Sequence, residues 1–304
     1  MGQSSFVDAL LPPGFGRNEK LERISGLIDW PLLERLVGSA RSGETGRPPY
    51  AAISMLKALL LQQMYDLSDP ALEEALLDRV SFRRFCGFAL EDAGLGEALF
   101  QEVLRQLEAA GFVLKTGTLI DATLVRCAVR PPPPGSTPRD QESRSPHHPD
   151  ANWTREGKAR RLFFGYKAHI GIDQGSGLIR SRVLTGAKTY ESEVADALVM
   201  GDERAVYADK AYEKHARRAA LKARGAKDRI QHRRTRSQKQ LPHWQTVRNK
   251  LIGRIRGAIE RTFSVLKRRY GFVRMRYLGL KANAFHLDLT AIAFNLRTIA
   301  AKSR

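Results

Sequence analysis

The sequence predicts a mixed α/β fold preceded by a helical N-terminal domain. Residues 20–110 show helical patterning, and short apolar strands alternate with helices from residue 116 onward. Positive charge is concentrated in the second half of the chain. A length of 304 residues fits one large domain or two modest ones. We therefore expect a helical domain over 1–110 and an α/β domain over 111–304.

The helical domain is indicated by apolar runs and by helix start signals. Ile53, Leu56 and Leu60 belong to an apolar helix that follows a turn at two prolines. Asp69 is a good helix cap because a proline and two glutamates follow it in the first turn. Leu99 marks a further helix that closes near residue 111.

The second domain is predicted from its strand order. A turn of the Gln-Gly-Ser-Gly type at 174–177 predicts a hairpin between the second and third strands. Helices are expected at 192–200, at 212–224 and around Glu260. This order fits a ribonuclease H-like layout, a mixed sheet flanked by helices. The strands are expected at 116–129, 164–173, 178–184, 204–209 and 227–231.

A polar stretch interrupts the strands between residues 131 and 160. It opens with four consecutive prolines, which cannot continue a strand or a helix. We expect a surface loop or a disordered excursion here, with His147 and His148 solvated.

Charge and cysteine content limit the function classes. Residues 1–110 contain 11 Lys/Arg and 16 Asp/Glu, whereas residues 151–304 contain 35 and 12. A strongly basic half predicts a nucleic-acid partner. No apolar run is long enough to span a bilayer and no signal peptide is recognisable, so no membrane partner is expected. Cys86 and Cys127 are too few for a zinc or disulfide framework, which fits a reducing cytoplasm.

Glu260 is the only acid between Asp228 and Asp288. On a helix, Arg256 and Lys267 lie within about 40° of it, so one carboxylate shares a face with two cations. Such a carboxylate is either a salt-bridge anchor or a metal ligand beside a polyanion. A second basic row along its other flank consists of Lys250, Arg254, Arg261 and Arg268.

Two further acids occupy apolar strands. Asp121 lies within the first strand, and Asp209 ends the fourth. An acid in such a place is paired or coordinates a ligand. Cleavage of phosphodiesters with two Mg²⁺ requires converging carboxylates, which Asp121, Asp209 and Glu260 could supply. The alternative is that these acids only cap turns, because a chain with 32 acids offers many such triples.

Other polar residues are candidates for DNA contacts. Lys167 and His169 point to one side of their strand, either toward phosphate or toward solvent. Lys210 and Tyr212 follow Asp209 and could position DNA. Trp244 could stack on a base, although core packing is the favoured alternative. Phosphate contacts are also expected from Arg233, Arg234, Arg236 and Lys239.

Short motifs occur in order along residues 20–300. Asp121 lies in Ile-Asp-Ala-Thr, Asp209 lies in Ala-Asp-Lys-Ala-Tyr, and Arg256, Glu260 and Lys267 have the spacing R-(3)-E-(6)-K. These motifs resemble those of the DDE transposases of bacterial insertion sequences, specifically the insertion-sequence-five family. Further similar stretches lie at 46–50, 55–57, 67–69, 81–87, 165–169, 276–279 and 293–297.

The resemblance implies a specific activity. Asp121, Asp209 and Glu260 would bind two Mg²⁺, with Mn²⁺ as a substitute, while Arg256 and Lys267 grip phosphates. The enzyme would cut DNA at the element ends and transfer the strands to target DNA, acting as a homodimer on DNA. Its expected location is the bacterial cytoplasm, at the nucleoid when bound to DNA.

The sequence also departs from the family pattern. Gly253 replaces the tyrosine expected before Arg256, and Ala211 replaces a glycine. A stretch common in relatives is missing near 89–95, which resembles an internal deletion and predicts impaired binding of the element ends. Two alternatives therefore stay open. One is a catalytically idle DNA-binding remnant of an element, and the other is a ribonuclease H-like nuclease without strand transfer.

Overall fold

The structure is a computed structural model of the 304-residue chain. It describes residues 18–38, 52–78, 80–86, 95–128, 145, 148–157, 161–235 and 237–302. Arg236, the 46–50 motif and the proposed deletion near 89–95 therefore lie at least partly outside the described residues. No helix in these ranges is both long enough and apolar enough to cross a membrane.

Within the described residues, the N-terminal part consists of six helices, which agrees with the predicted helical character. They pack apolar side chains such as Leu61, Leu99 and Leu107 into the main hydrophobic core. Each helix is short, so its stability depends on this packing rather than on intrinsic propensity. The helices are α1 (Glu19–Leu27), α2 (Trp30–Gly38), α3 (Ala52–Tyr65), α4 (Asp69–Asp78), α5 (Val80–Phe85) and α6 (Leu95–Ala109).

The α/β part contains six strands and four helices within the described residues. The strands are β1 (Thr118–Arg126), β2 (Asn152–Glu156), β3 (Arg161–Asp173), β4 (Ile179–Gly186), β5 (Ala205–Ala208) and β6 (Lys227–Ile230). The helices are α7 (Glu191–Val194), α8 (His215–Ala223), α9 (His243–Arg269) and α10 (Gly279–Lys302). Two 3-10 turns, Ala195–Leu198 and Lys210–Tyr212, lie beside them.

These strands form one mixed sheet. The path runs β2-β3-β1-β5-β6, and β4 pairs with β3. β3 is antiparallel to β1, β2 and β4, whereas β5 is parallel to both of its neighbours, β1 and β6. The fold is therefore the expected ribonuclease H-like core with a helical N-terminal part.

The two faces of the sheet are covered differently. Leu119, Ile170 and Ile179 contribute to the large core shared with the helices, and Ile120 and Val206 contribute to a smaller core. The alternation along β1 explains this division, because successive side chains point to opposite faces. Helix α10 packs against α1, α3, α6 and β4. The N-terminal helices and the sheet consequently share one continuous core, while the division at residue 110 stays a sequence-based prediction.

The prediction of one polar loop over 131–160 is wrong at its second half. Residues 152–156 form β2, and Trp153 packs against Phe164 at a ring distance of 5.2 Å. His148 is fully buried beside Tyr166, with 3.2 Å between Nδ1 and the hydroxyl, so it is not solvated. The polar composition of this strand hid it, because β2 is only partly buried.

Candidate functional site

Asp121 lies in the middle of β1, beneath α9. Its side chain is 19% exposed, and its Oδ2 accepts a hydrogen bond from Nη2 of Arg256 at 2.7 Å. Its Oδ1 accepts from the backbone N–H of Ala122 at 3.0 Å. Arg256 is itself buried on α9. The carboxylate is thus held in place by a helix that crosses the sheet.

Asp209 is level with Asp121 on the neighbouring strand. β1 and β5 are parallel, and Leu119 of β1 pairs with Tyr207 of β5. Asp121 lies two residues after Leu119, and Asp209 lies two residues after Tyr207. Neighbouring strands are about 4.8 Å apart, and residues two apart share a face. Asp209 also caps the turn that follows, because its Oδ1 accepts from Ala211 N–H at 2.5 Å. The two aspartates therefore stand side by side, as the metal-site hypothesis requires.

The carboxyl of Asp121 is largely buried, with two other acids in its electrostatic environment. Burial raises the pKa of its carboxyl to about 6, Arg256 opposes this shift, and the charges of Asp209 and Glu191 add to it. A carboxylate whose pKa is raised in part by neighbouring acids is stabilised by a cation bound between them. The carboxylate oxygens are also the donors that Mg²⁺ and Mn²⁺ prefer. The Asp121–Asp209 pair consequently fits a hard divalent cation.

Glu191 is a third acid near the pair, and the sequence analysis missed it. It begins α7, and its Oε1 lies 3.6 Å from Nζ of Lys167. Burial raises its pKa, Lys167 lowers it, and Asp209 raises it further. Glu191 lies in a short helix between a turn and a 3-10 turn, where no apolar periodicity marks a functional position.

The hydroxyl of Tyr212 is buried among the same charges. Tyr212 is fully buried, and its hydroxyl has no hydrogen-bond partner within the described part of the chain. Its pKa is raised by burial first and then by Asp121, Glu191 and Asp209. A lone hydroxyl in such surroundings is available to donate to a carboxylate or to a ligand. The expectation that Tyr212 contacts DNA from the surface is not met, because the side chain is enclosed.

Arg217 fixes the position of these segments. Its guanidinium donates to the carbonyl oxygens of Tyr212 and Ser192, and it forms a 2.7 Å ion pair with Asp196. One buried cation thereby connects the turn after Asp209 with the helix that begins at Glu191. Such charge-assisted contacts limit the freedom of both segments.

Glu260 occupies a different environment. It is exposed on α9, one turn beyond Arg256. The charges that shift the pKa of Asp121 are those of Arg256, Asp209 and Glu191. Among the described residues, no group of three or more His, Cys, Asp or Glu side chains has the arrangement of a metal site. The structure places Asp121 and Asp209 at the same level on neighbouring strands, and the role of Glu260 as a third ligand stays a prediction.

The predicted DNA-contacting cations divide into exposed and enclosed side chains. Arg256 is buried against Asp121 and faces the acids. Lys167 is largely enclosed, because its side chain is 14% exposed and its Nζ donates to the Thr189 carbonyl at 2.8 Å. Lys267 is partly buried. The exposed members are Lys210, Arg233, Arg234, Lys239, Arg254, Arg261 and Arg268.

Two aromatic or imidazole predictions require correction. His169 is fully buried, its Nε2 lies 3.0 Å from Thr185 Oγ1, and burial lowers its pKa to about 4. It is therefore neutral and inaccessible to phosphate. Trp244 is 59% exposed and packs edge-on against His232, so it is not a core residue.

The sequence profile described as "Transposase DDE domain" matches residues 114–296. This range covers more than half of the chain and includes Asp121, Asp209 and Glu260. The chain belongs to the DDE transposase family. A second profile, "Transposase domain (DUF772)", matches residues 13–101 of the transposase. The resemblance drawn from the short motifs is thereby confirmed.

One solved structure similar to the transposase is "Cryo-EM structure of piggyBac transposase synaptic complex with hairpin DNA (SNHP)". The two chains share 12% identity with a TM-score of 0.42, and the alignment covers 94% of this chain and 75% of the other. The family assignment rests on the two profiles.

Proposed function

We propose that this transposase cleaves DNA at the ends of its element and joins the freed 3′-hydroxyls to target DNA. The observation that carries the proposal is the level placement of Asp121 and Asp209 beneath a basic helix. DNA is the substrate that fits a net positive charge over residues 151–304. Handling two ends together favours a homodimer on DNA.

Asp121 and Asp209 would hold the metal, with Glu260 as the third ligand that the family motif implies. When bound, two Mg²⁺ or Mn²⁺ ions supply activation of the attacking oxygen and charge stabilisation at the leaving oxygen. Arg256 orients Asp121 through its hydrogen bond to Oδ2. Glu191 adds negative charge beside the pair and thereby favours cation binding.

The exposed cations would hold the DNA. Arg254 and Arg268 are exposed on α9, and Lys210 follows Asp209 directly. Such contacts fix the position of the backbone and carry little sequence information. Cleavage at the element ends therefore requires further contacts, which the family places in the helical N-terminal domain.

A catalytically idle DNA-binding protein is the second candidate. The observation that favours it is the Arg256–Asp121 ion pair, which occupies an oxygen that a metal would use. The other alternative, a nuclease without strand transfer, shares the Asp121–Asp209 pair.

Metal-dependent nicking of supercoiled plasmid tests the enzyme proposal. We expect Mg²⁺ or Mn²⁺ to support nicking by the wild type and not by Asp121→Asn. The absence of nicking by a folded wild type that binds DNA would favour the idle binder. Joined products from labelled end DNA and a target plasmid separate the transposase from a simple nuclease, which would yield only cuts.

A further inference from the structure

A cleft of about 450 Å³ lies between α1, α9 and α10. At 100° per residue, Arg261 and Arg269 lie about 140° from Arg256 around α9. The cleft is therefore on a different flank of α9 from the ion pair with Asp121. Five cations line it, namely Lys20, Arg261, Arg269, Arg297 and Lys302. Within the described residues, no acidic side chain is part of the lining.

The floor and walls of the cleft position these charges. Tyr270 and Phe294 are buried apolar residues of the floor. Nη1 of Arg297 donates to the Met64 carbonyl at 2.5 Å, and Nζ of Lys302 donates to the Ser176 carbonyl at 2.5 Å. Both acceptors are neutral, so the hydrogen bonds fix the cations without compensating their charge.

The cations also act on one another. The pKa of Lys20 is lowered by burial first, and then by the positive charges of Arg297 and Arg269. Mutual repulsion of this kind disfavours the charged cleft on its own and would be relieved by an anion. The concave shape strengthens the effect because low-dielectric walls focus the field.

We propose that this cleft binds backbone phosphates of DNA, separately from the Asp121–Asp209 pair. The inference rests on the proposed function in one respect, namely that DNA is the substrate. Arg261 and Arg269 are exposed and two turns apart, about 12 Å along the helix axis. That separation suits two phosphates of one strand that are two nucleotides apart better than it suits one small anion. DNA would then contact two flanks of α9.

The test compares the double variant Arg261→Gln/Arg269→Gln with Lys222→Gln/Arg224→Gln, a control at the end of α8. All four side chains are exposed, and thermal unfolding will confirm that both variants fold. Affinity for a labelled duplex is measured over a series of salt concentrations. Each phosphate contact contributes about 0.9 to the magnitude of the slope of log K against log salt concentration. Because the cleft variant loses two cations, we expect the magnitude of its slope to be smaller by about 2. The control keeps the wild-type slope.

An unchanged slope in the cleft variant, or an equal loss in the control, would overturn the proposal. A free polyphosphate shares the chemistry of DNA phosphates, so inorganic triphosphate binding is measured by calorimetry in parallel. The cleft variant could lose triphosphate binding that the wild type and the control keep, while its salt slope for DNA stays unchanged. That result would assign the cleft to small anions and overturn the DNA proposal.

Plasmid nicking separates this inference from the proposed catalysis. If the salt slope of the cleft variant decreases in magnitude as expected but the wild type does not nick DNA, the proposal of DNA binding in the cleft is supported and the catalytic proposal fails. If the wild type nicks and the slope is unchanged, the cleft proposal fails alone.

Discussion

Arg256 and Asp121 form a largely buried ion pair, with 2.7 Å between Nη2 and Oδ2, that connects α9 to the centre of the sheet. The two residues are 135 positions apart in sequence. Their side chains are 10% and 19% exposed, so solvent screens the pair only weakly. This contact links the stability of the core to the geometry of the candidate active site.

Removing one partner of this pair will destabilise the fold. We expect Arg256→Ala to lower the free energy of unfolding by about 3 kcal/mol, because a buried carboxylate loses its counter-ion. Urea unfolding is the measurement. The exposed Arg254→Ala serves as the control and should change stability by less than about 0.5 kcal/mol. Equal effects of the two substitutions would contradict the structural role of Arg256.

Tyr212→Phe separates stability from activity. Among the described residues the buried hydroxyl has no hydrogen-bond partner, so removing it should raise the free energy of unfolding by about 1 kcal/mol. Plasmid nicking should nevertheless slow, because the same hydroxyl lies among the charges of Asp121 and Asp209. A loss of stability in Tyr212→Phe would show that the hydroxyl makes a structural hydrogen bond. An unchanged nicking rate would show that the hydroxyl has no role in the candidate active site.

Glu191→Gln tests the acid that the sequence did not reveal. The charge of Glu191 disfavours an empty Asp121–Asp209 pair, so its loss should raise the Mg²⁺ concentration needed for half-maximal nicking by about 3–10-fold, which corresponds to about 1 kcal/mol. Glu193→Gln is the matched control, since Glu193 is exposed on the same short helix. An equal metal requirement in both variants would refute the role of Glu191.

His286 predicts acid sensitivity of the junction between α3 and α10. Its Nε2 lies 3.0 Å from Oε1 of Gln63, and burial lowers its pKa to about 3. Below about pH 6.5 the imidazole of the unfolded chain binds a proton that the native state excludes. The free energy of unfolding therefore decreases as the pH is lowered. At pH 5 the loss should be about 2 kcal/mol relative to pH 7. Urea unfolding of wild type and His286→Asn checks this, and identical pH profiles would contradict it.

The sequence predicted those parts of the fold that have strong local patterns. β1, β3 and β5 have apolar runs, β4 follows a recognisable hairpin turn, and α9 has an apolar stripe. β6 is also expected from the strand order, although Ile230 is its one apolar residue. β2 was missed because its side chains are polar and partly exposed. Strand pairing decided its conformation, and a single sequence does not display that pairing.

The candidate site was predicted in part for a similar reason. Asp121 and Asp209 are recognisable because each carboxylate interrupts or ends an apolar strand. Glu191 and the Tyr212 hydroxyl are brought to them by tertiary packing through Arg217. Nothing in the spacing of these residues along the chain indicates that contact. Likewise, the burial of His169 depends on the strand and helices around it rather than on its own residue type.

The binding of Mn²⁺ is the most direct test of the claim that Asp121 and Asp209 form a metal-binding pair. Calorimetric titration of the DNA-free protein compares the wild type with Asp121→Asn and Asp209→Asn, and Glu193→Gln serves as the control. We predict that each aspartate variant weakens Mn²⁺ binding at least about 10-fold, equivalent to about 1.4 kcal/mol, while the control binds like the wild type. Wild-type affinity in both aspartate variants would contradict the account.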